Sequence, residues 1–171
     1  MFVGDETQLE VGFDAAQAGL ATLVRGGSLT AVSAKAYGEG LTGLAQVGPP
    51  GSVRGISRLV KARSRYQVTG DEAAMLTLRW EATGPGGLLF PALDADVTLT
   101  PAAEHATLLR LAAAYRPPHG SLEAGIDQVI LLQVATATIR TFMNLVADTI
   151  SGARRVTETP PGGNGGRTTL G

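Results

Sequence analysis

Residues 93–115 read LDADVTLTPAAEHATLLRLAAAY, and their alternation decides the fold. Leu93, Ala95, Val97 and Leu99 alternate with Asp94, Asp96, Thr98 and Thr100. After a turn at Pro101–His105, Leu109, Leu111, Ala113 and Tyr115 alternate with Arg110, Ala112 and Ala114. A period of two with one apolar face marks a half-buried strand. The same period lies upstream, where Val60, Ala62, Ser64, Tyr66 and Val68 alternate with Lys61, Arg63, Arg65 and Gln67. Past Gly70-Asp71, Leu76, Leu78, Trp80 and Ala82 are set against Met75, Thr77, Arg79 and Glu81. Turn residues between neighbouring runs predict an antiparallel meander with one apolar and one polar face.

Outward from the meander the period changes. Pro117-Pro118 closes the last strand, because proline cannot donate to a ladder. From 121 to 151 the spacing is helical: Leu132, Ala135, Ile139, Phe142, Met143, Val146 and Ile150 form one stripe, with Gln133, Arg140, Asn144 and Asp148 on another face. Ser121 is the expected N-cap, and Gly152 with Arg154-Arg155 the expected stop. On the N-terminal side a strand is expected over 7–13. A short helix follows, capped by Asp14 with Gln17 and ending at Gly26-Gly27. Ser28 opens a second short helix expected to stop at Gly38, and residues 40–56 read as a loop with at most one poor strand. Residues 1–156 are expected to form one domain, with 157–171 a flexible Gly/Pro/Thr-rich tail.

Composition narrows the function classes. The chain has 171 residues, 44% of them hydrophobic and 17% charged, with formal net charge −1. It can bury a sizeable core and exerts no global pull on nucleic acid or anionic lipid. It has no cysteine and two separated histidines, so no thiolate chemistry and no metal site are expected. The N-terminus has no secretory pattern, and the longest strongly apolar run, Val129 to Leu132, is four residues. A bilayer span needs about 20. A cytoplasmic protein without stable membrane insertion is expected. Gly38-Glu-Gly40-Leu-Thr-Gly43 spells a dinucleotide-loop motif but lacks the strand before and the helix after that the motif requires, and it reads as a helix stop. No phosphate loop or nucleophile elbow occurs, and no cofactor is expected.

A strand, two short helices, an antiparallel meander and a long C-terminal helix resemble the START-like superfamily of polyketide cyclases, dehydrases and lipid-transfer proteins. Tyr115-Arg-Pro-Pro-His-Gly-Ser-Leu122 is similar to the strand end that leads into the long helix of its members. The resemblance covers about residues 7–152. It implies an α+β helix-grip fold: a curved antiparallel sheet of six or seven strands around the C-terminal helix, with an apolar cavity between them. The implied lining is Leu78, Trp80, Leu99, Leu111 and Tyr115 from the strands, and Ile139, Phe142, Met143 and Val146 from the helix. Leu76 and Val97 share the inward face.

Three functions compete. The first is a carrier or sensor of a small hydrophobic molecule, which needs only the cavity. The second is a cyclase- or dehydrase-like enzyme, which needs an acid, base or oxyanion-stabilising group. Tyr115, His119 and Arg140 are its candidates, and none is assigned as catalytic. The third is a protein-interaction module with a filled core. His105 reads as an exposed turn residue, and Lys61, Arg63, Arg65, Arg79 and Arg110 with Glu81, Asp94 and Asp96 as a solvated charge ladder. No nucleic-acid partner is expected, and a homodimer is left open.

Overall fold

The computed structural model describes residues 1–47, 60–69, 72–82, 91–117 and 127–157. Its elements are β1 (Phe2–Leu9), α1 (Phe13–Arg25), α2 (Ser28–Val47), β2 (Val60–Thr69), β3 (Ala73–Ala82), β4 (Ala92–Ala103), β5 (Ala106–Arg116) and α3 (Gln128–Thr157). The strands form one antiparallel sheet in the order β1-β5-β4-β3-β2, so the first strand closes beside the last. This is the α+β helix-grip architecture. The six or seven strands expected become five among the described residues. Residues 40–47 continue α2 instead of forming loop or strand, and 48–59 lie outside the described residues.

The register aligns the apolar faces in rows across the sheet. Trp80, Leu93 and Tyr115 form one row; Leu78, Ala95, Ala113 and Val3 the next; then Leu76, Val97 and Leu111, followed by Ala74, Leu99 and Leu109. All are buried, and α3 covers them with Ala135, Ile139, Phe142, Met143, Val146 and Ile150. Leu131 takes the stripe position expected of Leu132, which is left 40% exposed. Leu131 and Val134 instead form a satellite cluster with Met1 and Leu41.

Several local expectations are corrected. β1 covers Phe2–Leu9, not 7–13, because its backbone pairs with β5 from Phe2↔Ala114 to Leu9↔Thr107. Gly12, not Asp14, is the N-cap of α1 and makes no side-chain bond; Asp14 sits in the first turn, where its charge suits the helix dipole. The α1 stop stands: Gly26 N–H donates to Thr22 O, and Gly27 takes the left-handed φ of 75° that favours glycine. The β4–β5 turn shortens to Glu104-His105, with Pro101 kept in β4 where the register shifts before Ala103. α3 begins at Gln128, where the Asp127 carboxylate accepts from Val129 N–H at 2.7 Å. It runs through Gly152 to Thr157, and the proposed Ser121 cap lies outside the described residues.

The largest correction concerns α2, which runs straight through Gly38-Glu39-Gly40 to Val47. Glycine weakens a helix by about 1 kcal/mol relative to alanine. Packing offsets the loss. At Gly40 a Cβ would overlap Thr138 Oγ1 and stand 3.2 Å from its Cγ2, so the missing side chain is what lets α2 approach α3 there. The Gly-x-Gly-x-x-Gly spelling is therefore neither a nucleotide loop nor a helix stop.

Candidate functional site

The row Trp80–Leu93–Tyr115 lies at one end of the sheet's inner face. Its two large residues are separated by two strand spacings, about 10 Å. Both are essentially enclosed, Trp80 at 0% and Tyr115 at 4% exposure. Phe142 from α3 meets Trp80 edge to face, with ring centroids 5.0 Å apart and planes at 71°. From α2, Tyr37 reaches the same end and its hydroxyl donates to Pro91 O at 2.8 Å.

Between these groups is a gap bordered by Tyr37, Gly40, Trp80, Pro91, Leu93, Tyr115 and Thr138, with a volume of about 10 Å³. That is the space of a single water. Two polar atoms in residues bordering the gap, Trp80 Nε1 and Tyr115 Oη, are buried and have no hydrogen-bond partner among the described residues. Such an orphan costs about 1–3 kcal/mol, and native cores seldom leave one unexplained. A third, Ser33 Oγ on α2, does not border the gap. Thr138 Oγ1 is satisfied by Val134 O at 2.8 Å.

Burial pushes the Tyr37 and Tyr115 hydroxyls well above the ordinary tyrosine value, and the neighbouring Tyr37 raises Tyr115 further. Both therefore stay protonated at neutral pH. They can donate a hydrogen bond but are poorly placed to take a proton.

All nine cavity residues expected from the sequence are buried in one contiguous cluster: Leu78, Trp80, Leu99, Leu111, Tyr115, Ile139, Phe142, Met143 and Val146. Among the described residues, the gap beside Trp80 and Tyr115 at the end of this cluster is about 10 Å³. Arg140 does not reach this seam; it is exposed and stands 3.8 Å from Asp5 on β1. His105 is exposed in its turn, and His119 lies outside the described residues. The residue missed is Tyr37. Its signal was the spacing Leu29, Ser33, Ala36, Tyr37, Gly40, a buried helical face hidden by ending the helix at Gly38.

The opposite sheet face carries Arg79, Arg110, Glu81, Asp94 and Asp96 of the expected ladder, while the side chains of Lys61 and Arg63 lie outside the described residues. Arg79 pairs with Glu81 and Asp94, Arg116 with Asp94, and Arg110 with Glu6. Asp96 accepts from Thr77 Oγ1. As a helix, Gln128–Gly152 is long and apolar enough to cross a bilayer, although its apolar stripe here packs onto the sheet.

No family model matches the chain, and no curated protein does. A solved conserved protein from Geobacillus kaustophilus is similar in structure, with a TM-score of 0.52 at 17% identity over 90% of this chain and 97% of that one. That likeness is one of fold. The di-domain ARO/CYC BexL from the BE-7585A biosynthetic pathway gives a TM-score of 0.47 at 13% identity over 94% of this chain, which spans about half of it (48%). Norcoclaurine synthase from Thalictrum flavum gives 0.35 at 10% identity, over 86% of this chain and 87% of the synthase.

Proposed function

We propose that the protein binds a small apolar molecule between the inner face of the sheet and α3, with the molecule's polar end in the gap beside Trp80 and Tyr115. The observation that carries this reading is the pair of enclosed, unpartnered polar atoms on residues of one gap in an otherwise apolar seam. A core selected only to pack would be more stable with phenylalanine in place of Tyr115, which has the same shape without the orphaned hydroxyl. The nine clustered residues would line the bound molecule. Room for it has to be made, since about 10 Å³ holds no organic ligand. The Gly40–Thr138 contact of α2 with α3 borders the gap, so parting of these two helices would enlarge it.

Binding is favoured over cyclase-like catalysis because it needs only the apolar seam and its two donors, while the candidate Arg140 stands exposed and outside the seam. Residues 1–156 are assigned to one ligand-binding domain. Native mass spectrometry of freshly purified protein, followed by solvent extraction of anything released, tests the proposal. A reproducible small hydrophobic adduct is expected. A clean ligand-free mass, together with no thermal shift across a lipid and polyketide panel, would favour a filled-core interaction module instead.

A further inference from the structure

We infer that the ligand presents a neutral carbonyl oxygen, as in a ketone, ester or amide, to Trp80 Nε1–H and Tyr115 Oη–H. The inference rests on the binding reading above and narrows its ligand class. Indole nitrogen is a donor only, so the atom that meets Trp80 must be an acceptor. Tyr115 has one hydroxyl hydrogen to place and no acceptor to receive it.

Among the described residues, Pro91 O already receives the Tyr37 hydroxyl and Val134 O receives Thr138 Oγ1. An alcohol or amine would bring further hydrogens to place in this largely apolar seam, whereas an acceptor-only atom brings none. A carboxylate fits no better. Among the described residues bordering the gap none is cationic, so none of them offers a counter-ion to a desolvated anion. A carbonyl oxygen has two lone pairs and no hydrogen, which matches two donors in a neutral pocket.

The test compares 2-nonanone, nonane and nonanoate, with binding read from the emission of Trp80, the protein's one tryptophan. The ketone is expected to bind about fivefold to tenfold more tightly than the alkane, the worth of a net hydrogen bond or slightly more. Nonanoate at neutral pH is expected to bind more weakly than the ketone. Tyr115→Phe should cut the preference for ketone over alkane to roughly threefold, since one donor remains. Trp80→Phe, followed by thermal shift, should do the same, and Tyr115→Phe carries the test alone if that variant does not fold.

Equal affinity for ketone and alkane would overturn the carbonyl inference while leaving the apolar site standing. Tightest binding by nonanoate would overturn the neutrality. Binding of none of the three would overturn both the inference and the reading beneath it. A ketone complex in which an ordered water still joins Trp80 and Tyr115 would show that water, not ligand, satisfies them.

Discussion

Tyr115 buries a hydroxyl that nothing in the ligand-free core satisfies. Deleting that oxygen removes a desolvated orphan and no hydrogen bond, so Tyr115→Phe is expected to stabilise the ligand-free protein by about 1 kcal/mol. Urea unfolding would measure it, and a loss of similar size would mean the hydroxyl already has a partner. Phe142 behaves oppositely. It is fully enclosed and packed edge-on against Trp80, so Phe142→Ala should cost about 3–5 kcal/mol, the penalty of a filled core. A much smaller loss would mean that the seam is loosely packed. Alkaline pH gives a third readout. Folding raises the Tyr37 and Tyr115 values above those of the unfolded chain, which releases these protons near pH 10. Stability from these groups is therefore full below about pH 10 and falls as pH rises beyond it, by up to about 1.4 kcal/mol per pH unit for each. Tyr37→Phe should flatten that fall in urea midpoints taken from neutral to strongly alkaline pH. An unchanged slope would contradict the burial argument.

Elements with one wet face were legible, and elements fixed by close approach were not. In β3, β4 and β5 every second residue is buried in register with its neighbour, so alternation alone located them. Glycine propensity alone ends α2 at Gly38, while the cause of Gly40 lies about a hundred residues away at Thr138. Likewise, β1 has few apolar residues, and its position follows from pairing with β5 rather than from its own pattern. The two glycines of α2 should separate these effects. Gly38 is exposed with nothing near a new Cβ, so Gly38→Ala is expected to stabilise by up to about 1 kcal/mol. Gly40→Ala should destabilise by about 1–3 kcal/mol despite the same gain in propensity, and the Thr138→Ala background should recover part of the loss. Thermal or urea unfolding of the four variants decides it. Equal behaviour of the two glycines would show that α2 and α3 do not meet as described.

At the scale of the molecule, one sheet face is charged and paired while the other is closed by α3, and the candidate site is where that closure is chemically incomplete. The nine seam residues could be named from periodicity and resemblance because inward-facing positions recur every second residue in strands and every third or fourth in the helix. Whether they enclose a cavity could not be read, because that depends on how Trp80, Phe142 and Met143 share volume across chain-distant elements. The place of Tyr37 in the site likewise depends on a contact with distant Pro91, which no local pattern encodes. The indole N–H of Trp80 is the most direct probe of the site, since one tryptophan gives one indole cross-peak in a proton–nitrogen correlation spectrum. In ligand-free protein that peak is expected at the upfield position of an N–H without an acceptor, moving downfield in a saturable manner as 2-nonanone is added. A peak already downfield without ligand, and unmoved by it, would mean that the core satisfies its own donors and that no ligand site lies between sheet and helix.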